Sequence, residues 1–257
     1  MMNKDWATFI NTRPSVRYDD SFDDVMVIDL PLLRLERFLA INAIDKQAMM
    51  DFIKGEFAVI VVVSVPAAKA AIDYLCQQGI HHASDIHTKL PVFVAVGNAT
   101  KNVLMDFGFV VMTPAQMSNE GMLAMPVIAD LQANDRVLIW RGVGGRRVLH
   151  DALVNKGVQV QAIEWYARKI SDDLQAGFAQ LAAACDNCQL FFVLISSELA
   201  WQAWQSLPVG RLAGRQVYLT LGERLTALVG DKARQVHDLS VQTLSRAMND
   251  CRPLKLQ

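Results

Sequence analysis

The stretch VLIWRGVGGRRVLHDAL, Val137 to Leu153, joins an apolar run to a helix-like segment through a turn holding Gly142, Gly144 and Gly145 and edged by Arg141 and Arg147. Glycines let a ligand approach the backbone closely, and a strand feeding a helix aims free N–H groups and the positive end of the helix dipole at an anion. Which anion is decided by what the turn lacks. A Walker A loop needs G-x-x-x-x-G-K-[ST], and no Lys-Ser or Lys-Thr pair follows these glycines. The dinucleotide fingerprint G-x-G-x-x-G is broken at its last glycine by Arg147, whose side chain would crowd helix against strand. A nucleotide is therefore disfavoured, and a backbone nest with arginines is left, suited to carboxylates as well as phosphates.

Other apolar runs end in small, hydroxyl or cationic residues too: Arg13, Ser64, Gly97 with Thr100, Ser196 with Ser197, and Gly222. Any one of these alone reads as an ordinary cap or turn. Recurring in register at the carboxyl ends of strands, where α/β sheets bind ligands, they read as a binding rim. Metal and nucleophile readings fare worse. His81, His82 and His87 fit a solvated loop better than a zinc site, and Cys185 and Cys188 in CDNC lack a second ligand pair and read as incidental surface cysteines. His150 and His237 have no nucleophile motif to serve. Trp201 and Trp204, three apart, face a core or an interface rather than forming a stacking platform.

The elements that must position these residues follow from periodicity. ATFINT, VMVIDLPLLRL, FAVIVVV, VFVAV, VLIW, VQVQAIEWY, LFFVLIS and QVYLTL are strand-length apolar runs, several apolar almost throughout, as parallel strands covered on both faces require. Between them VPAAKAAIDYLCQQG, NATKNVLMDFG, GRRVLHDALVNKG and ELAWQAWQSL have helical spacing, three of them closing near Gly79, Gly108 or Gly157 as a C-cap would. The class is α/β. The chain also repeats: VIVVVSVPAAKAAIDYL resembles FFVLISSELAWQAWQSL, VFVAVGNATKNVL resembles VYLTLGERLTALV, and FINTRP more weakly resembles LIWRGV, which sets Arg13 opposite Arg141. Two related α/β domains are implied, each a parallel sheet flanked by helices. DLPLLRLERF and QAIEWYARKI are the most linker-like stretches.

With 257 residues, half of them hydrophobic, the chain can bury a substantial core. A formal charge of −1 argues against a nucleic-acid coat or a polybasic membrane surface, so an anionic ligand must be met locally. The apolar run FAVIVVVSVPAA is too short to span a bilayer, MMNKDWATFI lacks the order of a signal peptide, and four scattered cysteines suggest reduced thiols. A cytoplasmic location is expected, with no membrane and no nucleic-acid partner.

In order and spacing, the motifs resemble the uroporphyrinogen-III synthase family. The most specific match is VLIWRGVGGRRVLHDALVNKGVQVQAIEWYARK, similar to that family's strand, R-G-x-G-G-R turn, helix ending in Gly, and strand ending in a Tyr followed by a basic residue. NTRP, AVGNATKNVL and LISSELAWQAW support it, so the resemblance covers nearly the whole chain. It implies interleaved domains, residues 1–36 with 171–257 and residues 39–166, joined by a two-stranded antiparallel ribbon of 29–38 and 161–170. The implied reaction closes the linear tetrapyrrole hydroxymethylbilane to uroporphyrinogen III, losing water and inverting the last pyrrole ring through an azafulvene and a spiro intermediate, with no cofactor and no metal. The implied catalytic residue is Tyr166, assisting departure of the hydroxyl. The implied substrate contacts are Arg13, Ser64, Gly97, Thr100, Arg141, Gly142, Gly144, Gly145, Ser196, Ser197, Gly222 and Thr226. The implied partners are that octacarboxylate and, transiently, hydroxymethylbilane synthase; a monomer is expected.

Some positions depart from the family pattern. Val63 precedes Ser64 where a hydroxyl pair is common, Pro66 follows it, Leu225 stands where a Thr is usual with Thr226 one place late, and SVRYDDSFDDV is acidic and lacks a helix pattern. Two alternatives therefore stay open: a non-catalytic two-domain protein, or diverged paralogue, binding an anionic ligand such as a tetrapyrrole, and a nucleotide- or sugar-phosphate-dependent enzyme using the glycine turn.

Overall fold

A computed structural model of the chain describes residues 6–13, 18, 22, 24–38, 41–145 and 147–251. Most of the acidic SVRYDDSFDDV stretch lies outside the described residues, as does Arg146. The strands are β1 (Ala7–Asn11), β2 (Met26–Asp29), β3 (Leu33–Arg37), β4 (Val59–Val62), β5 (Val92–Ala95), β6 (Val111–Met112), β7 (Arg136–Gly142), β8 (Gln159–Ile170), β9 (Leu190–Ile195), β10 (Arg215–Leu221) and β11 (Ala233–Val236). The helices are α1 (Ala43–Ile53), α2 (Val65–Gln77), α3 (Asn98–Asp106), α4 (Asn119–Leu123), α5 (Pro126–Ala129), α6 (Val148–Asn155), α7 (Leu174–Ala184), α8 (Glu198–Gln205), α9 (Glu223–Val229) and α10 (Val241–Asn249).

The chain divides into two compact units, one of residues 1–34 with 169–257 and one of residues 35–168. The first holds a parallel sheet in the order β11-β10-β9-β1-β2; the second holds the order β6-β5-β4-β7-β8, with β3 added beside β8. Aligned by position, β10 answers to β5, β9 to β4 and β1 to β7. The internal repeats of the sequence thus occupy equivalent places in two sheets of one strand order. In the second unit the three follow as β4, β5, β7; in the first the strand carrying Arg13 comes at the start of the chain and its neighbours come near the end.

Each sheet is apolar on both faces, which is why β4 and β9 are buried at every position. In the second unit, Met49, Phe52, Ala67, Ala71, Leu75, Leu104 and Trp140 pack on one face, and Met122, Ile128, Leu149 and Leu153 on the other. In the first, Phe178, Leu181, Ala200 and Trp204 cover one face and Leu244 and Met248 the other. Helices α2, α3 and α6 are each followed by a glycine at positive φ, Gly79 at +81°, Gly108 at +98° and Gly157 at +81°, the left-handed turn that ends a helix and that residues with a Cβ resist. Pro66 falls in the first turn of α2, where its missing N–H would have had no helical partner in any case.

Several expectations need correction. VMVIDLPLLRL is two strands rather than one run, broken around Pro31, which cannot donate to a ladder. Strands β6 and β11 and helices α1, α7 and α10 have no counterpart in the quoted runs; β6 has two residues and β11 reads ARQV, so neither shows an apolar signal. The CDNC cysteines are not on the surface. Cys185 and Cys188 are buried and free, and both sulfurs meet the Thr8 hydroxyl, at 3.9 and 3.2 Å, because β9, which follows them, pairs with β1. Burial pushes the Cys185 thiol above its ordinary value, which makes it less reactive. Trp204 is in the core, and Trp201 meets Tyr218 edge-on at 4.9 Å.

Candidate functional site

In a parallel sheet all strands present their carboxyl ends on one edge, and the expected rim residues sit there. Ser64 follows β4 and Ser197 follows β9; each is extended and caps the next helix, its Oγ accepting from Ala67 N–H at 3.3 Å or Ala200 N–H at 3.2 Å. Gly97 and Gly222 hold the equivalent places before α3 and α9, and Gly222 adopts a φ of +85°. Arg13 lies just beyond β1, its N–H on Asn11 Oδ1 at 3.2 Å, and Ser196, half-buried, is the first residue after β9. Thr226 turns inward, its Oγ1 on Thr220 Oγ1 at 2.7 Å and on the Gly222 carbonyl at 3.0 Å, while Leu225 is buried. Thr100 is buried in the first turn of α3.

The glycine turn and Tyr166 come together. Strands β7 and β8 pair in register from Arg136 with Gln159 to Arg141 with Glu164, and then Gly142 faces Tyr166, so β8 carries one extra residue, Trp165. A bulge of this kind re-aims the side chains beyond it. Here it lays the Tyr166 ring on Gly142: a Cβ added at Gly142 would stand 2.5 Å from Tyr166 Cζ. Glycine is required there by close approach, and at Gly144 by a φ of +73°, whereas a Cβ at Gly145 would only touch the Gly142 carbonyl at an ordinary 3.7 Å. Tyr166 is 3% exposed, its hydroxyl paired with Ser64 Oγ at 3.1 Å and the Arg168 guanidinium 5.6 Å from its ring centre.

A cavity of about 350 Å³ opens on this arrangement, walled by Ser64, Arg141, Gly142, Gly145, His150, Tyr166 and Arg168, with Val63, Ile139 and Met117 as its apolar side. Its size falls within the roughly 300–1,000 Å³ of small-molecule sites. Arg141 is mostly enclosed and pairs with Glu164 Oε1 at 2.9 Å, leaving its buried Nε without a partner. A second cavity of about 490 Å³ shares Arg141 and His150 with the first and adds Asn42, Asp45, Arg147 and Glu164. His150 is half-buried in the first turn of α6, its Nδ1 on Asp151 Oδ1 at 2.9 Å, and Asp151 also meets Arg147 Nε at 3.3 Å. The His150 bond, helped by Arg147, holds the Asp151 carboxyl below its usual range.

Sequence reasoning missed His150, Arg168, Ser118 and Asn119 as cavity-wall residues. Arg168 and Tyr166 alternate along β8, a spacing that could have shown it; the loop bearing Ser118 gives no such signal. His81 and His82 are exposed around a short 3-10 turn whose Asp85 accepts from both their N–H groups, and among the described residues no group of three or more His, Cys, Asp or Glu gathers into a metal site. No helix among the described residues is long and apolar enough to cross a membrane.

Fold and cavity together define a two-unit α/β protein whose parallel sheets share one strand order and whose second unit ends in a tyrosine- and arginine-walled cavity suited to a carboxylate-bearing ligand. The sequence model of the HEM4 family, uroporphyrinogen-III synthase HemD, matches residues 24–231. The chain belongs to that family, and its activity is that of a cyclising lyase of tetrapyrrole biosynthesis acting on a small-molecule tetrapyrrole. Among solved structures, uroporphyrinogen-III synthetase from Helicobacter pylori shares the fold with a TM-score of 0.59 at 12% identity, covering 98% of this chain and 100% of that one. A mutant uroporphyrinogen III synthase from the extremely thermophilic bacterium Thermus thermophilus does so with a TM-score of 0.55 at 10% identity, covering 95% and 99%.

Proposed function

We propose that closure of hydroxymethylbilane to uroporphyrinogen III is centred in this chain on Tyr166. The observation that carries the assignment is the placement of its ring on Gly142 at the wall of the 350 Å³ cavity, with its hydroxyl tied to Ser64 Oγ. The first step breaks the bond between the hydroxymethyl carbon and its oxygen. The pyrrole nitrogen pushes its electron pair toward that carbon, and the departing oxygen takes a proton delivered through the Tyr166 hydroxyl, leaving as water. The substituted carbon of the last ring then attacks the azafulvene and forms a spiro centre. That centre fragments at the ring's original methylene link and recloses through the other carbon, and loss of a proton restores the aromatic pyrrole. One water leaves and no oxidant or reductant is consumed. A fixed donor aimed at the leaving oxygen accelerates such a step by roughly 10²–10⁴-fold, and holding the chain ends together lets inverted closure outrun the uncatalysed uninverted one.

We assign Arg141 and the N–H groups of Gly142 to Gly145 to substrate carboxylates, with Ser64, Gly97 and Thr100 contributing from the neighbouring turns of the same unit. Arg13, Ser196, Ser197, Gly222 and Thr226 are assigned the same task on the rim of the first unit. The enzyme works as a cytoplasmic monomer and receives its unstable substrate from hydroxymethylbilane synthase in transient contact. Incubation with freshly generated hydroxymethylbilane, followed by resolution of the uroporphyrinogen isomers, tests the reading: type III is expected, and type I alone would overturn it.

A further inference from the structure

We propose that His150 is a substrate-binding residue that, as an imidazolium, clamps a carboxylate of the pyrrole ring seated beside Tyr166, and so makes substrate affinity fall as pH rises. The inference rests on the reading of the cavity as the substrate site, and extends it to a residue no motif singled out. His150 walls both cavities, so it stands where a ring in the first would extend a carboxylate arm toward the second. Asp151 occupies Nδ1, which fixes the ring and, among the described residues, leaves Nε2 as the polar atom of the side chain still to be used.

Position matters as well. His150 lies in the first turn of α6, and the dipole there favours an anion and opposes a bare cation. An arriving substrate carboxylate is the kind of group that this end of the helix favours. Among the described residues, the charged and titratable groups that line the two cavities with His150 or bond to it are Arg141 from β7, Glu164, Tyr166 and Arg168 from β8, Asp45 from α1, and Arg147 with Asp151 from α6. Arg141 pairs with Glu164, and Asp151 is shared between Arg147 and His150. Burial raises the Asp45 carboxyl, which weakens it as a competitor for the imidazolium. Of the group, His150 is the side chain of the type that changes charge between pH 5 and 8.

The test measures KM and kcat for hydroxymethylbilane, and Kd for uroporphyrinogen III under anaerobic conditions, from pH 6 to 8.5 in the wild type, His150→Gln and His150→Lys. Wild-type KM and Kd should rise with pH. In His150→Gln both should be raised about tenfold at pH 6 and be flat with pH, as loss of one charged hydrogen bond predicts, with kcat little changed. In His150→Lys both should stay low across the range. A His150→Gln profile parallel to wild type, or a loss confined to kcat, would overturn the clamp. A pH-dependent Kd that vanishes in His150→Gln, in an enzyme that makes no type III product, would uphold the clamp and overturn the cyclase reading instead.

Discussion

The two units carry the same strand order but end in different chemistry, and the contrast is sharpest where the strand bearing the rim arginine meets its neighbour. In the first unit β1 ends beside β2 with Asn11 opposite Asp29, their side chains joined at 2.7 Å. In the second unit β7 ends beside β8, and the bulge at Trp165 sets Arg141 on Glu164 and the Tyr166 ring on Gly142. Ser64 and Ser197 cap their helices alike, yet Ser64 also holds the Tyr166 hydroxyl. One inserted residue in one strand thus converts a closed polar pair into a cavity wall with a hydroxyl at its edge. The architecture supplies two equivalent rims, and the bulge decides where a tyrosine hydroxyl can stand.

Glycine substitutions should break this contrast most strongly. In Gly142→Ala the new methyl meets Tyr166 Cζ at 2.5 Å and its Cε atoms at 2.8 and 2.9 Å, so the ring must leave its place. We expect turnover to fall at least about 100-fold with a stability loss of about 1–3 kcal/mol from overpacking. Gly222→Ala places its methyl where no atom lies within 4 Å, and its cost is the backbone strain of a φ of +85° with a ψ of 158°, about 1–3 kcal/mol, with kcat retained. Steady-state assays beside denaturant unfolding separate the two effects, and equal losses of kcat would refute the special standing of the second rim.

Tyr166→Phe comes next. It keeps the ring on Gly142 and removes only the hydroxyl, so kcat should fall about 100-fold while unfolding free energy changes by about 1 kcal/mol or less. A wild-type rate of type III formation would remove Tyr166 from the first step.

How far these features could be read beforehand depended on how local their causes are. Strands β4 and β9 announce themselves because both faces are buried, and α2, α3 and α6 because a glycine at positive φ stops each one. The two-residue β6 and half-polar β11 owe their state to neighbours and carry no pattern of their own. The CDNC cysteines are buried by Thr8, some 180 positions away in sequence, which no spacing records. At the site, Tyr166 and the glycine turn were legible as separate motifs. The bulge that brings them into contact and the Glu164 partner of Arg141 depend on the register of β7 with β8, and the half-buried place of His150 on how α6 packs, none of which the sequence expresses.

The two helix-capping serines give a smaller and cleaner comparison. Ser64→Ala and Ser197→Ala should each cost about 1 kcal/mol of stability, since each removes an acceptor from one N–H of a helix start. Their kinetics should diverge. Ser64→Ala also frees the Tyr166 hydroxyl and should lower kcat about tenfold, close to the worth of one well-placed hydrogen bond. Ser197→Ala should raise KM and leave kcat unchanged. If both changed kcat alike, the pairing of Ser64 with Tyr166 would have no part in the chemistry.

The smallest effect concerns what holds the second unit's sheet to α1. Arg136, at the start of β7, donates to Asp51 at 2.7 Å, also pairs with Glu56, and lies 4.5 Å from the centre of the Phe57 ring. The bond from Arg136 holds the Asp51 carboxyl below its usual range against the pull of burial. A carboxyl depressed by folding stabilises the protein above its unfolded value, near pH 4, and that contribution fades as pH falls through the lower folded value. Solvent screens a partly exposed pair, so its worth is about 0.5–1 kcal/mol. Asp51→Asn should therefore lower the unfolding free energy by that amount at pH 7 and by progressively less toward pH 3. The first unit offers a counterpart in Asp238, which is held low by the hydroxyl and N–H of Ser240 at 2.6 and 2.8 Å in an exposed turn before α10. Asp238→Asn should show the same sign of pH dependence with a smaller amplitude, because that carboxylate bonds to a local turn and ties no strand to a distant helix. Chemical denaturation at pH 3, 5 and 7 reads both, and a larger amplitude in Asp238→Asn would mean that acid loosens the first unit before the second.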